Sequence, residues 1–187
     1  MWWAPLLNNI VALLGDGGGA ANSYESIATV TVGAGGSSSI SFTSIPSTYK
    51  HLQIRWLSGD NRSGANDSPI YIQFNSDTSN NYADHQLGGD GSSAYSYAST
   101  SQPKTWLYGG GATAFGAGIT DILDYTSTNK AKTIRFLGGN DANGAGQIRL
   151  VSGLWFATPA AISTITLTPF TANFRQYSSF ALYGVKG

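Results

Sequence analysis

Cysteine is absent from the chain, so neither a disulfide framework nor thiol chemistry is available, and stability must come from packing and from oligomerisation. Charge is scarce as well: Asp, Glu, Lys and Arg make up 11% of the residues, against about 25% in an average soluble protein. The ten basic residues equal the ten acidic ones, and the formal net charge is zero. A nucleic-acid or anionic-membrane surface needs a basic excess, so neither partner is expected. Histidine occurs only as His51 and His85, and the G-x-S-x-G, H-E-x-x-H, Walker and dinucleotide-binding patterns are all missing. The chain reads as a non-enzyme with no cofactor and no resident metal. Its solvent face has to be built from Ser, Thr, Asn, Gln, Gly and Tyr, a surface commoner on secreted, cell-surface and virion proteins than on cytosolic enzymes.

What is present falls into two unequal parts. Residues 1–21 read as an apolar arm and a glycine-rich tether, and residues 22–187 as one β domain. In MWWAPLLNNIVALLGDGGG, Pro5 suits the first turn of a helix, where its missing N–H is not needed. Leu6, Ile10 and Leu13, with Leu7, Val11 and Leu14 beside them, recur at helical spacing behind Trp2 and Trp3. A signal peptide would carry a basic n-region, but the first Lys or Arg is Lys50, and Asn8-Asn9 breaks the apolar run. A transmembrane span needs roughly 20 apolar residues, more than this stretch supplies. A helix folded back on its own domain is the plainer alternative. The composition favours an assembly arm that docks on a neighbouring subunit or another protein through Trp2, Trp3, Leu6, Leu7, Ile10, Val11, Leu13 and Leu14. Burying its large apolar side chains is worth about 18 kcal/mol gross, and ordering some fourteen residues costs about 21 kcal/mol. One arm therefore holds nothing alone; contacts from the globular part, or several arms acting together, are needed.

After the tether the period switches from helical to alternating. Tyr24–Val32, Ile40–Phe42, His51–Trp56, Ile70–Phe74, Tyr82–Leu87, Ile119–Tyr125, Lys132–Leu137, Ile148–Phe156, Ile162–Leu167 and Ser179–Val185 read as strands between Gly/Ser/Asn turns. Ala94–Leu107 suggests aromatic-decorated strands around a polar loop, Gly109–Gly118 reads as an exposed loop, and Asn143-Gly144 is a strong hairpin signal. Tyr71 and Gln73 alternate outward from Ile70, Ile72 and Phe74. The expected fold is an all-β antiparallel sandwich of jelly-roll type behind a short N-terminal apolar helical arm.

Candidate chemistry is thin. Asp84-His85 is the one acid–imidazole neighbour pair, but adjacent strand residues point to opposite faces. Asp60, Asp67, Asp77 and Asp90 sit in Asn-rich turns where calcium could find oxygen ligands. None has EF-hand spacing, and Asp and Asn are also what turns use to bond their own backbone. Tyr71, Tyr82, Tyr95, Tyr97, Trp106 and Tyr108 could stack sugar rings, or could equally serve a subunit interface or the core. Tyr95, Tyr97, Trp106 and Tyr108 are the set most suited to a glycan or interface role.

The stretches SYESIATVTVG (Ser23–Gly33), ISFTSIPSTYKHLQIR (Ile40–Arg55), IYIQFNSDTSNNYADHQLGGDGSS (Ile70–Ser93), SGLWFATPAAISTITLTP (Ser152–Pro169) and SSFALYGVKG (Ser178–Gly187) together resemble a family of small β-rich virion structural proteins of tailed bacteriophages, including cyanophages. The resemblance covers nearly all of residues 23–187 and spares the arm. It implies a virion location and a homotrimer or higher assembly, leaves head or tail open, and carries over no catalytic residue. The apolar arm beside a charge-poor β domain then points to a capsid decoration (cement) protein displayed on the particle surface and partnering the major capsid protein. The alternative is a tail or neck fibre component, joined to an adaptor and binding host glycans.

Overall fold

The computed structural model describes residues 23–187. The arm and tether expected over residues 1–21, with every apolar side chain from Trp2 to Leu14 named above, lie outside the described residues. Among the described residues there are twelve strands and no helix: β1 (Tyr24–Thr31), β2 (Ile40–Phe42), β3 (His51–Ser58), β4 (Asp67–Phe74), β5 (Tyr82–Gly89), β6 (Ala94–Gln102), β7 (Thr105–Gly110), β8 (Gly116–Ile122), β9 (Lys132–Asp141), β10 (Gly146–Trp155), β11 (Ile165–Pro169) and β12 (Ser179–Val185). They form an eight-stranded sheet, in the order β1-β12-β3-β8-β9-β10-β5-β6, and a four-stranded sheet, β2-β11-β4-β7. Neighbouring strands in both sheets are antiparallel. The chain is thus an all-β, sandwich-like fold.

Alternation explains most of the core. Leu52, Ile54 and Trp56 of β3, Phe180 and Leu182 of β12, and Ile134 and Phe136 of β9 are buried along one face of the large sheet. Ile70, Ile72 and Phe74 of β4, with Ile165 and Leu167 of β11, are buried on the small sheet and join the same cluster. Each apolar residue is two positions from the next, so one strand face is withdrawn from water while the other stays wet. The Asn143-Gly144 signal holds: both residues have positive φ (58° and 89°), the pattern a type I′ turn needs, and they join β9 to β10.

Two expectations are corrected here. Gly109–Gly118 is not an exposed loop: Gly109 and Gly110 end β7, Gly116–Gly118 open β8, and Gly109, Gly110, Gly111 and Gly116 are buried. They are glycines because backbone meets backbone there, with an added Cβ at Gly111 falling 2.1 Å from the Ala65 carbonyl oxygen. Glycine richness marked close approach rather than flexibility. Tyr71 is not outward in solvent either. It is buried, edge-on to Trp106 with centroids 4.7 Å apart, and is covered by Lys104, whose Nζ lies 3.6 Å from the ring centre. An outer aromatic cluster closes over that face of the small sheet, which period-two reasoning had no means of including.

The Ile119–Tyr125 segment stops being a strand at Ile122, and its two carboxylates part company. Asp121 pairs with Arg135 across β8 and β9 (2.8 Å). Asp124, in the following turn, takes Lys50 at 3.0 Å and is also bonded by Lys130. The two ammonium groups, Lys130 foremost, hold the Asp124 carboxyl down at about 2. Because that value lies below the ordinary carboxylate value of about 3.9, this turn contributes its stability above about pH 4 and loses it as pH falls toward 2. An NMR titration of the Asp124 side-chain carboxyl is expected to give a midpoint near 2, moving up in Lys130→Met. A midpoint at the ordinary value in the wild-type chain would contradict the pairing.

Candidate functional site

The large sheet is longer than the small one. The small sheet ends at β7, which packs across β8, β9, β10 and β5, while β6 is the last strand of the large sheet; a cleft there is lined by Gln86, Tyr97, Ala98, Ser99, Trp106, Tyr108 and Arg149, with a volume of about 290 Å³. Three of the four aromatics singled out in the sequence therefore share one cavity. Tyr97 comes from β6, while Trp106 and Tyr108 come from the face of β7 opposite Thr105 and Leu107. The fourth, Tyr95, stands beside Tyr97 with centroids 5.7 Å apart.

Register supplies the floor. Gly88 of β5 pairs with Tyr95 on one side and Arg149 on the other. A Cβ at Gly88 would lie 2.4 Å from the Tyr95 ring and 2.7 Å from the Arg149 Cδ, so the missing side chain is what lets both lie across the sheet. The Arg149 guanidinium consequently sits 4.3 Å from the Tyr95 ring centre, 4.2 Å from Tyr108 and 5.6 Å from Tyr97. Stacked cation–π contacts of this kind hold an arginine in one orientation.

A polar chain runs beneath the aromatics. Arg149 Nε donates to Gln147 Oε1 at 2.5 Å, and the Tyr95 hydroxyl donates to the same oxygen at 2.7 Å. Gln147 Nε2 donates in turn to Asp67. On the other side the Tyr108 hydroxyl donates to Gln86 Oε1 at 2.9 Å, and Gln86 Nε2 donates to Asp84 Oδ1 at 2.8 Å. Burial pushes the Tyr108 hydroxyl up to about 12, against the pull of Arg149, so it remains a donor at neutral pH. Burial likewise raises the Asp84 carboxyl, opposed by its bonds from Gln86, the Trp106 backbone and Thr105. Every group in the chain is oriented by another, and the result is a pre-formed wall of rings around a fixed cation.

The other candidates disperse. Asp84 is buried while His85 is exposed on the opposite face of β5, so the pair does not form an acid–base couple, as strand geometry requires. His51 is half-buried and accepts the Asp124 backbone N–H at Nδ1 (2.9 Å). Tyr82 belongs to the core: it is fully buried, and its hydroxyl accepts the Phe74 N–H at 2.9 Å. The turn carboxylates are taken by protein donors, Asp60 by Ser68 and the Arg62 backbone and Asp67 by Gln147. Asp90 accepts from the backbones of Ser92 (2.9 Å) and Ser93 (2.8 Å). Asp77 accepts from Ser79 (2.9 Å), Asn81 (3.0 Å) and the Trp155 indole (2.7 Å). Among the described residues no three His, Cys, Asp or Glu side chains converge as metal ligands.

Sequence reasoning missed Arg149, Gln86 and Ser99. A signal existed: Gln147, Arg149 and Val151 alternate on β10, so an arginine stands on the face that buries Val151. What fold and cleft define together is an antiparallel two-sheet β protein with an aromatic–arginine cleft at the edge of its smaller sheet. No family model, no curated protein and no solved structure matches this chain.

Proposed function

We propose that this protein is a non-enzymatic structural component of a tailed-phage particle, a capsid decoration protein that displays its β-sandwich on the particle surface. The observation that carries this reading is the outer face of the eight-stranded sheet. Ile119, Leu137, Leu150 and Leu87 lie side by side across β8, β9, β10 and β5, and Leu137, Leu150 and Leu87 are 49%, 45% and 57% exposed. Ile148, 61% exposed, and Leu57, 48% exposed, extend the band in the neighbouring row. Soluble monomers rarely leave contiguous apolar surface uncovered, least of all in a chain this poor in charge.

We take the occupant of that band to be residues 1–14 of a neighbouring copy. Their large apolar side chains match it in character. Exchanged arms would give the homotrimer that the family resemblance implies, with the major capsid protein or a neck adaptor as the next partner. The sandwich itself we read as a jelly roll carrying two extra hairpins. In support, β1-β12-β3-β8 and β2-β11-β4-β7 have the order of a long hairpin rolled into two sheets, and β5–β6 and β9–β10 extend only the first.

Deleting residues 1–15, or introducing Leu150→Asp, is expected to convert the trimer to monomer and to remove the protein from particles, read by light scattering and by copy number per virion. Unchanged mass and occupancy in both would overturn the reading. A tail or neck fibre component that binds host polysaccharide is the second reading, and the cleft between β6 and β7 is the observation that favours it.

A further inference from the structure

The cleft has a chemical preference that its aromatic walls alone do not express. Arg149 makes no ion pair with any carboxylate among the described residues. Its Nε is used by Gln147, and one Nη makes only a long 3.5 Å contact to Gln86. The remaining guanidinium donors have no acceptor among the described residues, and none of its nitrogens is a sealed-off orphan, so they are wetted where Arg149 lines the cleft. The acids around the cleft are bonded elsewhere: Asp67 by Gln147, Asp90 by the Ser92 and Ser93 backbone, and Asp84 by Gln86, whose amide stands between that carboxyl and the guanidinium. Tyr97, 55% exposed, presents its ring beside this cation, and Trp106 lines the same cleft. Among the described residues the Tyr97 and Ser99 hydroxyls have no protein partner, which leaves them to a hydroxylated ligand.

We propose that this cleft binds a carboxylate-bearing pyranose, a uronic acid unit of an acidic polysaccharide, with Arg149 taking the carboxylate and Tyr97 and Trp106 flanking the ring. The proposal rests on the second reading above, that the β domain binds surface polysaccharide. An arginine fork pairs with a carboxylate through parallel charge-assisted bonds, while the apolar face of a sugar ring needs a flat hydrophobic wall. At about 290 Å³ the cleft is at the small end of ligand sites, roughly 300–1,000 Å³, which suits one ring held within an open-ended chain. Gln86 and Gln147 fix the guanidinium before the ligand arrives, so little ordering cost is left for binding.

The test is titration of the full chain with trigalacturonate, using maltotriose as the uncharged control, followed by saturation-transfer NMR and by the side-chain N–H signals of arginine. Trigalacturonate is expected to bind at least about tenfold more tightly than maltotriose, as one charge-assisted contact allows, and to shift the Arg149 signals. Tyr97→Ala, at an exposed position, is expected to weaken it about tenfold through the lost ring contact. Arg149→Lys keeps the charge but not the fork, and is expected to reduce the preference for the acidic sugar. Equal binding of both sugars through Tyr97 would overturn the uronic acid assignment while leaving polysaccharide binding standing. No binding of either sugar, or binding unaffected by both substitutions, would overturn the two together.

Discussion

Phe136→Ala is expected to lower the stability of the protein by about 4 kcal/mol, within the ~3–5 kcal/mol range of large aromatic deletions. Phe136 is fully buried and stacks on Trp56 with ring centroids 5.3 Å apart and planes 11° from parallel. It also approaches Tyr108 at 6.5 Å, so it joins the core to the wall of the cleft. Neighbouring glycines shape its seat: a Cβ at Gly118 would lie 2.5 Å from Trp56 and 2.7 Å from Phe136, and one at Gly138 would lie 2.7 Å from Phe136. Backbone brought that close cannot collapse into the space the ring leaves, and the cavity term is therefore retained almost in full. Urea unfolding followed by tryptophan fluorescence measures the loss. A change under about 1 kcal/mol would show that the ring is not the centre of the inter-sheet packing.

Gly110→Ala is expected to cost about 3 kcal/mol or more, the upper end of overpacking. Its Cβ would fall 2.1 Å from the Ala114 carbonyl oxygen, 2.3 Å from the Gly116 nitrogen and 2.5 Å from the Phe115 carbonyl carbon. All three are backbone atoms, so no side chain can rotate aside; β7 and β8 would have to separate at the edge of the small sheet. Gly33→Ala is the control. Nothing lies within 4 Å of its added Cβ, and a change within about 0.5 kcal/mol is expected there. Equal thermal shifts in the two variants would contradict the close approach at Gly110.

These two positions mark how far the sequence could be read. Phe136 was legible as an inward residue, because Ile134 and Phe136 alternate with Thr133 and Arg135 and only one face of a strand can be dry. Gly110 was not, since a glycine that permits contact and a glycine that permits bending look alike in a sequence. Tyr97, Trp106 and Tyr108 were named as a possible surface but could not be placed in one cleft, because Tyr97 lies on β6 and the other two on β7, strands of different sheets. Arg149 was passed over entirely. Its partners Tyr95, Tyr108 and Gln86 are between 41 and 63 positions away, and no local period reports such neighbours. Tyr71 was misplaced for the same reason: the rings that bury it arrive from β7 and from Phe170.

The sequence by itself determined the class of this protein: alternation, turn glycines and the lack of helical period after residue 21 leave an antiparallel β fold as the arrangement that dries one face of every strand. It also determined what the surface is made of, since so little charge is available. Tertiary structure alone decided which strands became neighbours, and hence that the large sheet outruns the small one, that a cleft opens past β7 and that an apolar band lies on the outer face. Those outcomes depend on strand order and register, and contacts between distant segments are set by the packing of whole sheets rather than by any local preference of the residues that make them.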